Sequence, residues 1–134
     1  MRVGIDLVSI DSVHESIREH GARYLERVHT ERELHDCHTE QGPVAERLAA
    51  RFAAKEATIK VLRPSPDDAV PWRSIEVVRH SSGWVGLELA GPAAALAEAA
   101  GLHDFALSIT HEQGHAAAVV VAEQSLKDQP RPST

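Results

Sequence analysis

The alanine-rich run that ends at Leu62 constrains the fold of this 134-residue chain more than any other stretch. It begins near Pro43, ends before Pro64, and consists mainly of alanine, leucine, arginine, glutamate and lysine. Such residues favour the helix interior, whereas proline suits the first helical turn and stops a helix at the residues before it. The sequence therefore predicts a long helix from about Pro43 to Leu62, against which the remaining elements must pack.

Two charged residues of this helix lie where an apolar face is predicted. On a helical wheel of about 100° per residue, Lys55 falls within the apolar arc and Glu56 lies at its edge. The arc consists of Val44, Leu48, Phe52, Ile59 and Leu62. A carboxylate against an apolar surface is unfavourable unless a cation or a metal accompanies it. Two interpretations stay open: an ordinary amphipathic helix with Lys60 paired to Glu56 one turn away, or a helix that carries a site.

Composition and charge limit the classes of protein to which the chain can belong. The length corresponds to a single domain, and because aromatic residues make up 4% of the chain, its core must be aliphatic. A net charge of −6 argues against general nucleic-acid binding. The single cysteine, Cys37, excludes an internal disulfide and fits a reducing compartment. No apolar run approaches the roughly 18 residues of a membrane span, and no signal-peptide core is visible. We expect a soluble, cytoplasmic protein with no nucleic-acid or membrane partner.

The N-terminal segment alternates as a β-strand does. Within Arg2 to Val8, one side presents Val3, Ile5 and Leu7, and the other presents Gly4, Asp6 and Val8. Aspartate is disfavoured inside strands. Asp6 is therefore either a residue at the strand end that caps the next helix or a ligand.

The rest of the chain predicts short helices followed by two hairpins. Residues 12–38 hold helical segments, one of which opens on a capping box from Thr30 to Glu33. Strands at 74–79 and 84–89 form the first hairpin, a helix opens at Gly91, and strands at 105–110 and 116–122 form the second hairpin. In strand 105–110 we expect Phe105, Leu107 and Ile109 to point inward, and Ala106, Ser108 and Thr110 to occupy the other face. The predicted fold is a single α+β domain over residues 1–123, with a mainly antiparallel sheet, a long central helix and a disordered tail over 124–134.

Three segments resemble the holo-acyl-carrier-protein synthases, which are small 4′-phosphopantetheinyl transferases. Residues 4–10, Gly-Ile-Asp-Leu-Val-Ser-Ile, resemble the first motif of that family. Residues 51–57, Arg-Phe-Ala-Ala-Lys-Glu-Ala, are similar to the second motif nearly letter for letter. Residues 107–111, followed by 116–123, resemble the C-terminal hairpin. The order, the spacing and the total length agree over roughly residues 2–123.

The resemblance implies a reaction and a set of residues that perform it. Such enzymes move the phosphopantetheine arm of coenzyme A to a serine of an apo acyl carrier protein or related carrier domain, and they release 3′,5′-ADP. Asp6 and Glu56 correspond to the carboxylates that bind Mg²⁺ in that family. Lys60 corresponds to the lysine that contacts the pyrophosphate in that family. The alternative, that Lys60 only forms an ion pair with Glu56 on the same helix, stays open. The coenzyme A contacts implied are Arg51, Lys55, Lys60, Ser108, Thr110 and His111, although His111 can also be an ordinary histidine at a strand end. The family's proteins of this size are trimers with the site between subunits, so a homotrimer is expected.

The sequence departs from the family pattern in places that concern coenzyme and carrier binding. The segment Arg63–Asp68 contains two prolines where the family has a glycine-rich loop, which removes backbone donors. Gly83-Trp84 stands where the family has a Gly-Lys-Pro turn, and Ser12 stands where an arginine is usual. Three arginines and three glutamates balance one another between residues 12 and 28. We expect a specialised carrier rather than the acidic carrier of fatty-acid synthesis.

Two other functions remain as alternatives. The first is a non-catalytic module of the same fold that binds coenzyme A or a carrier protein. The second is a transition-metal protein that uses His35, Cys37 and His38, although these three residues do not share one helix face.

Overall fold

The computed structural model describes residues 1–125, which form five α-helices, seven β-strands and one short 3₁₀ turn. The helices are α1 (Ile10–His20), α2 (Ala22–Val28), α3 (Glu31–Asp36), α4 (Ala45–Leu62) and α5 (Gly91–Ala99). The strands are β1 (Arg2–Ser9), β2 (His38–Thr39), β3 (Gly42–Pro43), β4 (Ile75–Arg79), β5 (Val85–Leu89), β6 (Leu102–Glu112) and β7 (His115–Gln124). The 3₁₀ turn spans Trp72–Ser74. The predicted order of elements is confirmed, and the short strands β2 and β3 between α3 and α4 are an addition that the sequence did not predict.

The main sheet has three strands in the order β1-β7-β6, and both of its pairings are antiparallel. Strand β1 pairs with β7 from Arg2 opposite Ala122 to Ser9 opposite His115. The β6–β7 hairpin is closed by Glu112 opposite His115. Strands β4 and β5 form a separate antiparallel pair, as do the short strands β2 and β3. The α+β class with a mainly antiparallel sheet is therefore confirmed.

Helix α4 packs against the inner face of this sheet and is buried on most of its circumference. The buried positions include six alanines together with Leu48, Val61 and Leu62, rather than the single predicted arc. Phe52 and Ile59, which the arc contained, are only partly buried. Alanine permits this because its small side chain lets neighbouring elements approach from several directions.

The helix and the sheet approach each other closely at Gly4. An added Cβ atom at this position would lie 2.1 Å from the Ala57 carbonyl oxygen and 3.1 Å from a methyl carbon of Val61. Only a residue without a side chain fits in that space. Glycine at this position therefore allows β1 and α4 to be in direct contact.

The two faces of the main sheet differ in exposure. Gly4 and Val8 of β1 are buried against α4, whereas Val3, Ile5 and Leu7 on the opposite, outer face are 63%, 62% and 66% exposed. On β6, the residues expected to point inward do pack against the core, and Ala106, Ser108 and Thr110 are exposed on the outer face. The chain thus leaves an apolar outer face on its largest sheet.

Several boundaries differ from the predicted ones. Pro43 lies in β3, and α4 begins at Ala45 because Val44 provides the extended residue before the helix. Strand β7 continues to Gln124, so the predicted tail starts at least one residue too early, and its residues 126–134 lie outside the described residues. The capping box is confirmed, since Thr30 and Glu33 each bind the other's backbone N–H. Between residues 1 and 125, no helix is both long and apolar enough to cross a lipid bilayer.

Candidate active site

Asp6 and Lys60 meet where the middle of β1 crosses the last turns of α4. Asp6 lies on the side of β1 that faces the helix, and its side chain is 15% exposed. The Lys60 ammonium donates to the Ile5 carbonyl oxygen at 2.7 Å and lies 3.3 Å from Asp6 Oδ1. This cation is thus held on the neighbouring strand, which favours a site over a plain helical ion pair.

Glu56 completes a cluster with these two residues. Burial raises the pKa of Glu56 above its ordinary value, the nearby Asp6 carboxylate raises it further, and the Lys60 ammonium opposes both effects. A carboxylate whose ionisation is made costly by burial and by a neighbouring negative charge is stabilised by a cation placed beside it. The sequence-predicted residues Asp6, Glu56 and Lys60 are therefore brought together, and a cavity of about 490 Å³ opens beside Asp6 and Lys60.

The donor set of this cluster suits a hard divalent cation. Magnesium prefers oxygen ligands and commonly takes one or two protein carboxylates, with phosphate and water oxygens in its other positions. Asp6 and Glu56 supply two such carboxylates. Among the described residues no group of three or more His, Cys, Asp or Glu side chains is placed to hold a metal ion. Cys37 is fully buried while His35 and His38 are exposed, so the three side chains of the histidine-based alternative do not face one site.

A second cavity, here called the basic cleft, lies between the N-terminal half of α4 and the β4–β5 hairpin. Its volume is about 350 Å³, and four basic side chains line it: Arg47, Arg51, Arg79 and His111. The remaining wall is formed by Ala50, Gly83, Val85 and Ile109. Such a concentration of basic side chains in one concave site suits a phosphorylated ligand. The structure thus brings together two predicted coenzyme A contacts, Arg51 and His111.

Two residues of the basic cleft were missed by the sequence reasoning. Arg47 precedes Arg51 by one helical turn, so its spacing could have indicated a shared face. Arg79 comes from the end of β4, and nothing in its local sequence shows that the hairpin folds over α4. Within the cleft, Arg51 is 5% exposed and donates to the Arg47 carbonyl oxygen at 3.3 Å. His111 Nδ1 lies 3.0 Å from a carboxylate oxygen of Glu46.

Lys55, predicted to contact coenzyme A, lies instead in the protein interior. Its side chain is fully buried, and its ammonium donates to Glu33 Oε1 at 2.7 Å, to the Trp72 carbonyl oxygen at 3.1 Å and to the Ile75 carbonyl oxygen. A lysine ammonium has three donors, so each of them has a protein acceptor. This arrangement corrects the expectation, which rested on sequence position and could not show which way the side chain points.

Ser108 and Thr110 also lie elsewhere than on the wall expected for them. Ile109 and His111 line the basic cleft. Because side chains alternate along a strand, Ser108 and Thr110 point to the opposite face of β6, where both are exposed. In this chain they belong to the outer face of the sheet and not to the cleft that holds His111.

A third cavity lies on the surface of α1 and α2. It has a volume of about 560 Å³ and is lined by His20, Arg23, Tyr24 and Arg27. Arginines and glutamates balance in number over this part of the sequence, but the described residues that line the cavity are basic or aromatic. The Glu19 carboxylate lies 3.7 Å from His20 Nε2.

Comparison with known proteins decides the family. The model of the 4′-phosphopantetheinyl transferase superfamily matches residues 2–120. The chain belongs to this superfamily. A relative from Gloeobacter violaceus, a holo-[acyl-carrier-protein] synthase, is 40% identical over 119 residues, which cover 89% of this chain and 89% of the relative.

Solved structures agree with this membership of the phosphopantetheinyl transferases. The coenzyme A complex of the Chronobacterium ammoniagenes synthase is 34% identical, with a TM-score of 0.79 and coverage of 92% of this chain and 96% of that one. The Bacillus anthracis synthase in complex with CoA (3′,5′-ADP) is 27% identical, with a TM-score of 0.70 and the same coverage. The chain is thus an enzyme of the phosphopantetheinyl transferase type.

Proposed function

We propose that this transferase moves the 4′-phosphopantetheine arm of coenzyme A to a serine of an apo acyl or peptidyl carrier protein, with Mg²⁺ as cofactor and 3′,5′-ADP as the second product. The observation that carries the proposal is the convergence of Asp6, Glu56 and Lys60 from two elements onto one place. Support also comes from the relatives that are named holo-[acyl-carrier-protein] synthase and from the neighbours solved with coenzyme A.

The reaction transfers a phosphoryl-linked group, so the protein must chiefly position the partners and balance charge. The serine oxygen forms a bond to the β-phosphorus as the bond from that phosphorus to the bridging oxygen breaks. Lys60 would neutralise the negative charge that develops on the departing 3′,5′-ADP. Glu56 would help a neighbouring water to accept the serine proton. Asp6 and Glu56 would hold Mg²⁺, which supplies charge neutralisation at the pyrophosphate.

The ADP part of coenzyme A would occupy the basic cleft. Arg51 and His111 were expected there, and Arg47 and Arg79 add two more basic side chains to the lining of the same cavity. A guanidinium can bind a phosphate through two parallel hydrogen bonds. We therefore assign the phosphate contacts to these four residues and leave Lys55 out, because its ammonium is already engaged in the interior.

The apolar outer face of the main sheet supports assembly of the chain into a homotrimer. Val3, Ile5 and Leu7 are more than half exposed, and Val119 on the neighbouring strand is 36% exposed. A continuous apolar strip of this kind on a sheet is typical of a subunit interface. Ser108 and Thr110 lie on the same face, so they would reach coenzyme A only if a neighbouring subunit brought it to that face.

The cavity on α1 and α2 would receive the carrier protein. Its lining of Arg23, Arg27, His20 and Tyr24 suits an acidic helix. A net charge of −6 opposes the approach of another acidic protein over long range. These two features together favour a carrier that is less acidic overall but presents a local acidic helix.

The test is incubation of the protein with coenzyme A, Mg²⁺ and a panel of apo carrier proteins, followed by mass spectrometry. Transfer is shown by a carrier mass gain of one phosphopantetheine group together with release of 3′,5′-ADP. Binding of coenzyme A without any mass gain on any carrier would instead favour a non-catalytic binding module. A carrier whose target serine is replaced by alanine is the matched control, and it should gain nothing.

A further inference from the structure

The Glu33–Lys55 pair is the centre of a buried hydrogen-bond network that joins three elements. Both side chains are fully buried, and Lys55 Nζ lies 2.7 Å from Glu33 Oε1. The same Glu33 oxygen accepts from the Thr30 backbone N–H at 2.9 Å, and Glu33 Oε2 accepts from the Val77 backbone N–H at 3.0 Å. Lys55 reaches two further carbonyl oxygens, those of Trp72 and Ile75. The pair thus connects α4 to α3 and to the start of β4.

This network lies directly behind the basic cleft. Arg47, Arg51 and Lys55 follow one another at intervals of four residues, so they share one face of α4. The first two line the cleft, and Lys55, one turn further on, is bound to the backbone of β4. On β4, Val77 is bound by Glu33, and Arg79, two residues later on the same side of the strand, lines the cleft from the opposite wall. The two walls are therefore joined through the buried pair.

The energetics favour a geometric role for the pair over a role in stability. Burying two charges costs desolvation, and apolar residues of similar volume often stabilise a fold as well or better. A buried pair with this many hydrogen bonds instead holds the elements that it joins at a defined distance from one another. Each of the three Lys55 donors has an acceptor, and both Glu33 oxygens accept from backbone or lysine.

We propose that Glu33 and Lys55 are positioning residues that fix the distance between the α4 wall and the β4–β5 wall of the basic cleft, and thereby the affinity for the phosphates of coenzyme A. This inference rests on the proposed function, because it assigns coenzyme A to that cleft. It also gives the lysine of the second family-like motif a role without ligand contact.

The test compares wild type with Glu33→Gln/Lys55→Met, which removes both charges and so leaves no unpaired ion in the interior. Coenzyme A and 3′,5′-ADP are titrated by calorimetry, and backbone amide exchange is measured at Val77 and Arg79. Val120→Ala, a truncation at a fully buried position of β7, is the control for lost stability alone. We expect the double variant to bind both ligands about tenfold more weakly or worse, since a wall misplaced by about 1 Å is costly. We also expect faster exchange at Val77, a larger change in KM for coenzyme A than in kcat, and ligand binding unchanged in the control.

The outcomes separate this inference from the proposed function. A folded double variant that binds coenzyme A as wild type does would overturn the positioning role and leave the proposed function standing. Equal weakening in Val120→Ala would also overturn the positioning role, because lost stability would then explain the effect. If wild type binds neither ligand, the proposed function fails and the inference fails with it. If the double variant does not fold, the coenzyme A affinity of Glu33→Gln alone is compared with those of wild type and Val120→Ala in the same way. This variant keeps the contacts of Lys55 with the Trp72 and Ile75 carbonyl oxygens.

Discussion

Replacing Gly4 by alanine should push β1 away from α4. Because Asp6 lies on β1 and Glu56 on α4, the two carboxylates of the candidate active site should move apart as well. The new Cβ atom would lie 2.1 Å from the Ala57 carbonyl oxygen, whereas carbon and oxygen atoms in contact are about 3.3 Å apart. The strand and the helix must therefore move apart by roughly 1 Å, because the obstacle is backbone and cannot rotate away. Asp6 is on the strand, two residues from Gly4, while Glu56 is on the helix next to Ala57.

The size of the effect follows from this displacement. Forcing extra volume into a packed contact costs about 1–3 kcal/mol, which lowers the melting temperature of a domain of this size by several degrees. A misplacement of about 1 Å at a catalytic site can cost about 100-fold in rate. We therefore expect Gly4→Ala to remain folded at low temperature but to transfer the phosphopantetheine arm about 100-fold more slowly.

The assay is single-turnover loading of an apo carrier at saturating coenzyme A, well below the melting temperature that is measured for each variant. Gly86→Ala is the matched control, because its Cβ atom would meet only the flexible His80 side chain, at 3.2 Å. It should load the carrier at nearly the rate of wild type. A Gly4→Ala variant that is as fast as Gly86→Ala would refute the argument that close contact at Gly4 holds the carboxylates in place.

Three further predictions concern charge, pH and assembly. Lys60→Ala should lower kcat more than it raises KM for coenzyme A, and Arg51→Ala should do the reverse; steady-state kinetics that are alike for both variants would contradict the division of roles. Burial lowers the pKa of His29 below its ordinary 6.5, so the unfolded chain binds the proton first and the free energy of unfolding should fall as pH drops below about 6.5. In His29→Gln, the free energy of unfolding from urea titrations should no longer fall below pH 6.5 in this way. If it falls as steeply with pH as in wild type, His29 is not the group responsible. Val3→Glu, which places a charge on the exposed outer face, should convert a trimer to monomers in analytical ultracentrifugation; a wild type that is already monomeric would remove the proposed interface.

A second pH effect is expected at more acidic pH from Glu33. Burial alone would raise the pKa of this carboxyl, but the neighbouring His29 imidazole, the Lys55 ammonium and the Thr30 backbone N–H outweigh it and hold the pKa at about 2. Because the pKa in the folded state lies below the ordinary value of 4.5, the stabilisation is complete above pH 4.5 and is lost as pH falls toward 2. The same urea measurements, extended to acid, report it.

The sequence contains enough local signal to predict most of the element order and to single out two residues of the Asp6–Glu56–Lys60 cluster. Thr30 and Glu33 at capping-box spacing are sufficient to place the start of α3. Asp6 was conspicuous because aspartate is rare inside a strand, and Glu56 because it lies at the edge of an apolar arc. The structure brings both residues to the same place, since Gly4 lets their two elements come into contact.

Side-chain direction across elements could not be predicted in the same way. Lys55 is one residue before Glu56, yet it points into the interior because Glu33 and the carbonyl oxygens of β4 lie there. These partners are more than 15 residues away in the chain, so helical spacing carries no information about them. Arg79 was missed for the same reason, since its place in the basic cleft depends on how the β4–β5 hairpin packs over α4.

The most direct test of the account is the transfer assay with Asp6→Ala and Glu56→Ala. Both variants remove a carboxylate from the candidate magnesium site, while neither residue is part of the fully buried core. We expect both to keep a cooperative thermal transition and to lose loading of the carrier that wild type modifies, at every Mg²⁺ concentration tested. Glu56→Gln should fail as well, because it keeps the shape and loses the charge. Full Mg²⁺-dependent loading by either alanine variant would contradict the claim that these two carboxylates form the catalytic centre.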